Sequence, residues 1–175
     1  MITNHLLTGP PRCGKSTLFE RLIKRLDRPM TGFFTSEMRE KGKRVGFKII
    51  TLEGKEGILA HECIKSHIRV GKYGVNLQEL DKIAVPAIQP TTSDQMVIID
   101  EIGKMECFSQ LFQKRLLDVL NSPNVVIGSI ALKGSQFIER IKTRNDVRIV
   151  QVTENNRDEL VLLLAQELAG DRSTA

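Results

Sequence analysis

The chain has 175 residues, of which 41% are hydrophobic and 27% charged, a composition that excludes an intrinsically disordered protein. This length predicts a single domain that spans residues 1–175. The net charge is +5, with basic residues spread along the chain, and the absence of Trp together with a single Tyr does not favour an aromatic platform for single-stranded nucleic acid.

The sequence predicts a cytoplasmic protein that does not enter a membrane. The longest apolar run, residues 160–165, is far shorter than a transmembrane helix, and the N-terminus lacks the basic and apolar pattern of a signal peptide. The three cysteines have no CxxC or Cys/His spacing, which predicts free thiols in a reducing compartment and no zinc site.

Apolar spacing in the first half of the chain predicts a strand, a helix and a hairpin. The strand covers residues 5–8, and apolar residues at helical intervals follow from Lys15 until Arg28-Pro29 ends the helix. Residues 32–38 and 44–52 have strand character, and the turn between them predicts an antiparallel hairpin. Residues 53–80 are interrupted by four glycines and give no clear pattern, apart from a short helix at 77–84.

The second half of the chain alternates strands and helices. The predicted elements are a dense apolar strand at 96–99, a helix at 107–120, a strand at 124–130, a short helix at 137–141, a strand at 147–152 and a helix at 157–169. This alternation predicts a three-layer α/β fold, in which helices cover both faces of a mostly parallel sheet. The hairpin is then an antiparallel addition to that sheet.

The segment GPPRCGKS at residues 9–16 matches the P-loop pattern GxxxxGK[ST] without a gap. Its two glycines allow the backbone to turn tightly and bring N–H groups toward phosphate oxygens. The following helix adds the positive end of its dipole, Lys15 reaches the β- and γ-phosphates, and the Ser16 hydroxyl is a ligand of Mg²⁺. Thr17 is expected to contact the α-phosphate.

An acidic pair follows the apolar strand at 96–99. Asp100 stands where a Walker B aspartate holds Mg²⁺ in P-loop proteins, at the carboxyl end of a buried strand. Glu101 comes directly after it and suits a general base that orients or deprotonates an attacking water, against the alternative of a solvated carboxylate at a helix start. The predicted cofactor is therefore Mg²⁺, with Ser16 and Asp100 as its ligands.

Further positions near the acidic pair are candidates for the site. Ser129, at the end of a predicted strand, is either a sensor of the γ-phosphate or water, or a plain strand-end serine. Lys104 and Glu106 either shape the γ-phosphate pocket or form an ion pair at a helix start. Asp100 to Gly103 also fits the DxxG pattern of a GTPase switch, but no NKxD-type guanine motif accompanies it.

The predicted site residues fall into three overlapping groups. The catalytic group is Lys15, Glu101, Glu106 and Ser129, and the metal ligands are Ser16 and Asp100. The nucleotide-binding group is Gly9, Pro10, Pro11, Arg12, Cys13, Gly14, Lys15, Ser16, Thr17, Asp100, Glu101 and Gly103.

Several longer blocks occur in order, at residues 9–17, 32–39, 44–47, 69–75, 100–106 and 144–146. On these blocks the chain resembles the thermophile-type nucleoside-triphosphatase family, from about residue 4 to residue 168. The resemblance implies a RecA-like P-loop fold, nucleotide binding through residues 9–16 and about 96–103, and hydrolysis of NTPs to NDP and phosphate with little choice of base. One departure is Arg12-Cys13, where the family usually has Gly-Val.

The sequence therefore predicts a Mg²⁺-dependent nucleoside-triphosphatase that acts on ATP, GTP and other NTPs. One alternative is a nucleotide or nucleoside kinase, although no Arg-rich lid is visible. Another is an NTP-gated regulatory protein that binds nucleic acid, which the scattered charge does not favour. Arg144 is either an arginine finger or a turn residue, and Arg69, Lys72 and Tyr73 line either the base or a structural turn. Oligomeric state is not predicted.

Overall fold

Nine strands form one mixed sheet in the computed structural model, which describes residues 3–170. The strands are β1 (Asn4–Thr8), β2 (Met30–Glu40), β3 (Lys43–Thr51), β4 (Glu56–His61), β5 (Arg69–Val70), β6 (Tyr73–Val75), β7 (Met96–Ile102), β8 (Val126–Ile130) and β9 (Val147–Gln151). Their order across the sheet is β5-β6-β4-β3-β2-β7-β8-β1-β9.

The sheet has a parallel part and an antiparallel part. Strands β2, β7, β8, β1 and β9 pair in parallel, so their carboxyl ends meet at one edge. Strands β3, β4, β6 and β5 extend the sheet beyond β2 by antiparallel pairing. The predicted hairpin is β2–β3, and residues 53–80, which gave no clear pattern, contribute three more strands of the extension.

Between residues 3 and 170, five α-helices cover the two faces of the sheet: α1 (Lys15–Ile23), α2 (Leu77–Ala87), α3 (Gln110–Leu120), α4 (Gln136–Lys142) and α5 (Arg157–Gly170). Neighbouring strand residues point to opposite faces, so Leu6 packs in a core with α2, α3 and α4, whereas Leu7 packs in a core with α1 and α5. These three layers confirm the predicted α/β fold class. No helix between residues 3 and 170 has the length and hydropathy needed to cross a membrane.

The prediction of one continuous helix at 107–120 is wrong. A 3₁₀ turn, Glu106–Phe108, comes first, and α3 begins only after Ser109. The backbone of Ser109 is extended, and its Oγ accepts a hydrogen bond from the N–H of Phe112 at 2.9 Å. Ser109 is therefore the N-cap of α3 and separates the two elements.

Replacing Ser109 with Ala should destabilise the fold more than replacing Ser135, which caps α4. Ser109 Oγ also donates a hydrogen bond to Asp81 of α2. Ser135 Oγ accepts a hydrogen bond from the N–H of Ile138 at 3.4 Å, which is longer than the 2.9 Å bond that Ser109 Oγ accepts. We expect Ser109→Ala to lower the free energy of unfolding by about 1–2 kcal/mol and Ser135→Ala by about 0.5 kcal/mol. Urea denaturation measures both, and equal losses would contradict the bridging role of Ser109.

Candidate active site

The P-loop connects the end of β1 to the start of α1, at the carboxyl edge of the parallel strands. Gly9 and Gly14 have φ values of 156° and 93°, which glycine adopts readily. A Cβ atom at Gly9 would lie 2.4 Å from the carbonyl oxygen of Val152, and one at Gly14 would lie 2.5 Å from Cδ of Arg157. The chain after β9 therefore packs directly on the P-loop, a contact that no local sequence pattern signals.

Lys15 folds back over the loop that precedes it. Its Nζ donates hydrogen bonds to the carbonyl oxygens of Gly9 at 2.9 Å and Pro10 at 3.1 Å. Its positive charge also opposes the rise that burial causes in the pKa of Asp100 and of Glu101. Lys15 thus links the loop electrostatically to the acidic pair.

Arg12 and Cys13 occupy the variable positions of the loop in different ways. Arg12 is exposed and has a φ of 67°, a conformation that costs a non-glycine residue about 1–2 kcal/mol. Cys13 is buried in the core with α1 and α5, and its Sγ accepts a hydrogen bond from Lys15 Nζ at 3.7 Å.

A cavity of about 430 Å³, here called the P-loop cavity, lies between the loop and strands β2 and β3. It brings the predicted loop residues together with Glu101 and with side chains that the sequence reasoning missed. The lining residues are Pro11, Arg12, Gly14, Lys15, Ser16, Thr17, Thr35, Ser36, Glu37, Phe47 and Glu101. The sequence did not mark the polar residues of β2 as site residues, because polar and apolar residues alternate in many strands that have one exposed face.

Five of the predicted nucleotide-binding residues do not line the P-loop cavity. These are Gly9, Pro10, Cys13, Asp100 and Gly103. The first two supply the carbonyl oxygens that hold Lys15, and the last two lie near the end of β7.

Asp100 and Glu101 lie near the end of β7 and are joined by a cis peptide bond. Asp100 is buried, and its Oδ1 accepts a hydrogen bond from the Oγ of Ser129. Burial raises the pKa of Asp100, and the bond from Ser129 opposes that rise. Ser129 is itself fully buried, and the partner of its hydroxyl is the Asp100 carboxylate.

Glu101 and Glu106 line a smaller cavity of about 200 Å³. A Cβ atom on Gly103 would lie 2.6 Å from Oε1 of Glu101 and 2.8 Å from Oε2 of Glu106. Gly103 leaves room for both carboxyl groups, and its N–H donates a hydrogen bond to Glu106 Oε2 at 3.2 Å. The two side chains therefore converge on the backbone of Gly103.

Burial controls the protonation of both glutamates. Burial, and secondarily the charge of Glu101, raises the pKa of Glu106 to about 8. Burial, and secondarily the charge of Asp100, raises the pKa of Glu101. Glu106 therefore holds a proton at neutral pH, which disfavours it as a second general base.

The donor atoms at this edge fit Mg²⁺. The Ser16 hydroxyl and the Asp100 carboxylate are hard oxygen ligands, the type that Mg²⁺ prefers. Asp100 is buried and Glu101 partly buried, burial raises the pKa of both, and a nearby cation stabilises their ionised forms.

Comparison with known proteins identifies the family. A family model described as NTPase matches residues 4–164. The nucleoside-triphosphatase THEP1 of Thermotoga sp. (strain RQ2) is 46% identical over 157 residues, which are 89% of this chain and 90% of that protein. The chain belongs to this NTPase family. The cancer-related nucleoside-triphosphatase of Homo sapiens is 35% identical over 178 residues, 92% of this chain and 94% of that protein.

Two solved structures extend the similarity to the fold. The crystal structure of THEP1 from the hyperthermophile Aquifex aeolicus has a TM-score of 0.86 and 32% identity, covering 94% of this chain and 98% of that chain. The solution structure of a human cancer-related nucleoside triphosphatase has a TM-score of 0.80 and 33% identity, covering 95% and 98%. The predicted family resemblance is confirmed.

Arg144 of this NTPase lies at the edge of the sheet opposite the P-loop. Its guanidinium forms an ion pair with Asp146 at 2.6 Å and donates a hydrogen bond to Asn121 Oδ1 at 2.7 Å. The carbonyl oxygen of Asp146 accepts a hydrogen bond from the N–H of Asn4, where β1 begins. These contacts support the interpretation of Arg144 as a residue that holds the turn before β9, rather than as an arginine finger.

Tyr73 supports the P-loop cavity indirectly. Its ring packs edge to face on Phe47, with 5.3 Å between the centroids, and Phe47 lines the cavity. The Arg44 guanidinium lies 5.0 Å from the Phe47 centroid and 5.7 Å from that of Tyr73. Glu37, which also lines the cavity, forms ion pairs with Arg44 at 2.7 Å and with Arg39 at 2.6 Å. One cluster thus fixes this wall of the cavity.

Arg69 and Lys72 belong to a structural turn in this NTPase. The Arg69 guanidinium donates to the carbonyl oxygens of Ile64 and Lys72. Lys72 forms an ion pair with Glu62 at 2.6 Å. These contacts support the structural alternative for the 69–75 block.

Gly14→Ala should weaken NTP binding, because its Cβ would displace the flexible Arg157 side chain from the loop and strain a backbone whose φ is 93°. Gly54→Ala is the matched control, because Gly54 has a φ of 85° but a Cβ there meets nothing within 4 Å. We expect each variant to lose about 1 kcal/mol of stability through the positive φ. Only Gly14→Ala should lose affinity for a fluorescent NTP analogue. If the two variants bind the analogue equally well, the packing of Arg157 on the loop is not required.

Glu106→Gln should remove a pH dependence of stability. Between pH 4.5 and about 8 the folded chain holds a proton on Glu106 that the unfolded chain has released, so wild-type stability falls as pH rises through this window. Each unit of pKa difference corresponds to about 1.4 kcal/mol, and Gln does not titrate. Urea denaturation at pH 5 and pH 8 measures the effect. Relative to wild type, the free energy of unfolding of Glu106→Gln should be higher at pH 8 than at pH 5. Exposed Glu20→Gln is the control, and parallel pH curves for wild type and Glu106→Gln would contradict the buried proton.

Proposed function

We propose that the protein is a Mg²⁺-dependent nucleoside-triphosphatase that hydrolyses ATP, GTP and other NTPs to NDP and phosphate with low base selectivity. The observation that supports this most directly is the cavity lined by both the P-loop and Glu101. The relatives are named nucleoside-triphosphatases, and those names specify no base. The three cysteines are free thiols, which supports a cytoplasmic location.

Ser16 and Asp100 would hold Mg²⁺ at the edge of the P-loop cavity. When bound, the ion supplies positive charge to the β- and γ-phosphate oxygens. Ser129 keeps the Asp100 carboxylate oriented through its hydrogen bond to Oδ1. Because the outer partner of a metal ligand tunes that ligand, Ser129 acts as a positioning residue.

The P-loop supplies the protein's own positive charge for the triphosphate. Lys15 and Arg12 both line the cavity, so two cationic side chains are available to phosphate oxygens. The first N–H groups of α1 add donors at the same place. As negative charge builds on the β–γ bridging oxygen, Lys15 stabilises it.

Glu101 is the proposed general base. Its raised pKa makes the ionised carboxylate a stronger base than an exposed one. It orients a water molecule in line with the β–γ bond and accepts the proton that this water releases. The neighbouring Glu106 holds its own proton at neutral pH, so it does not compete for that role.

Lys15→Ala and Glu101→Gln should separate binding from turnover. Lys15→Ala removes charge at the phosphates, so hydrolysis should fall to background, whereas Lys24→Ala at the exposed end of α1 should retain it. Glu101→Gln preserves shape, so Mg·ATP binding should remain while kcat falls by about 10²–10⁴-fold. Phosphate release and nucleotide titration measure the two effects. Normal turnover in Glu101→Gln would assign the base to another group.

Steady-state hydrolysis of ATP, GTP, CTP and UTP, with and without EDTA, tests the substrate range and the metal. Values of kcat/KM within about tenfold of one another would support low base selectivity. Products are quantified in the presence of nucleoside monophosphates as acceptors. Recovery of the γ-phosphate on an acceptor, rather than as free phosphate, would replace the hydrolase proposal with kinase activity.

A further inference from the structure

A second cavity of about 860 Å³, here called the β7–β8 cavity, lies beyond the carboxyl ends of these two strands. One wall is formed by residues that come after β7 in the chain, among them Lys104, Phe108 and Gln113. The other is formed by residues that come after β8, among them Lys133, Phe137 and Arg140. Its volume is in the range of small-molecule sites. Crevices at the carboxyl ends of parallel strands are where such sheets bind ligands.

No acidic side chain of the described residues lines the β7–β8 cavity, whereas Glu101 and Glu106 line the smaller cavity that Lys104 also lines. The lining of the β7–β8 cavity includes the cationic residues Lys104, Lys133 and Arg140. Within residues 3–170, none of the three cationic groups forms an ion pair or side-chain hydrogen bond. The nearby carboxylate of Glu139 is already paired with Lys142 at 3.1 Å. The cavity therefore favours an anion.

Two phenyl rings in the same cavity add an apolar component. Phe108 is 37% exposed and Phe137 is partly buried, so ring surface is available beside the cations. Aromatic faces stack on flat heterocycles, and cationic groups bind phosphate. Burial raises the pKa of the Cys107 thiol to about 12, so this lining residue supplies no thiolate. The lining is suited to binding rather than to covalent chemistry.

The β7–β8 cavity is separate from the P-loop cavity. The two share no lining residue. The smaller cavity lies next to both: Glu101 lines it and the P-loop cavity, and Lys104 lines it and the β7–β8 cavity. A ligand in the β7–β8 cavity would thus lie on the far side of Glu101 from the P-loop.

We propose that the β7–β8 cavity binds a second small molecule, a nucleoside monophosphate. Its phosphate contacts Lys104, Lys133 and Arg140, and its base stacks on Phe108 and Phe137. The proposal does not rest on NTP hydrolysis, because binding to this cavity is measured without an NTP. Failure of either idea therefore leaves the other intact.

Isothermal titration of the full chain with AMP, adenosine and inorganic phosphate tests the site. We expect AMP to bind at least about tenfold more tightly than either fragment, because only AMP engages both cations and rings. The charge-reversal double variant Lys133→Glu/Arg140→Glu should weaken AMP binding by about tenfold or more. Lys65→Glu/Lys114→Glu, at exposed lysines outside the cavity, should leave it unchanged. Circular dichroism confirms that each variant is folded.

Further variants locate the ligand. Phe108→Leu should weaken AMP binding without changing phosphate binding, since it removes the ring and keeps apolar volume. Lys15→Ala should leave AMP binding intact. The proposal is overturned if Lys15→Ala abolishes AMP binding while the charge-reversal variant does not, or if both double variants weaken it equally. It is also overturned if a single-stranded oligonucleotide binds more tightly than AMP and loses its binding in the same charge-reversal variant, because the occupant is then a nucleic-acid polymer.

Discussion

Asp100 and Glu106 are buried and Glu101 is partly buried at the end of β7, and the arrangement of the site depends on how the charge of these carboxyl groups is compensated. A buried carboxylate is costly unless a cation, a hydrogen-bond donor or a proton accompanies it. Lys15 acts on the first two groups, and Ser129 donates to Asp100. Glu106 retains a proton instead. The positive charge of the P-loop therefore stabilises the acidic pair at the end of β7, and Glu101 and Lys15 line the same cavity.

The layered fold could be predicted because its signals are local. Apolar runs and helical intervals define β7, β8 and most helices without reference to the rest of the chain. The helix at 107–120 was misjudged because the apolar stripe continues across Ser109, and only the hydrogen bond of its side chain reveals the cap. Strand β5 has two residues, Arg69–Val70, too few to show an alternating pattern. Its existence depends on pairing with Tyr73–Val75, which sequence periodicity does not report.

The parts of the site whose residues are adjacent in the sequence could be predicted. The parts whose residues are brought together by strand pairing could not. The P-loop motif and the Asp100-Glu101 pair are each a short run with a fixed chemical meaning. The contact of Ser129 with Asp100 requires that β8 lie beside β7, and the packing of Arg157 on Gly14 requires that β9 lie beside β1. Strand order is set by the whole chain, so these contacts had no local signal. The sequence likewise did not predict that Glu106 is protonated, because this depends on the burial of its carboxyl group in the folded chain.

The wall of the P-loop cavity formed by β2 and β3 is held by two kinds of force. Glu37 is positioned by exposed ion pairs with Arg39 and Arg44, whereas Phe47 is positioned by the ring of Tyr73. Dissolved salt screens the ion pairs but leaves ring packing largely unaffected. As ionic strength rises, Glu37 should gain rotational freedom while Phe47 stays in place. The same cavity would then present a firmer apolar wall and a looser acidic one in concentrated salt than in dilute buffer.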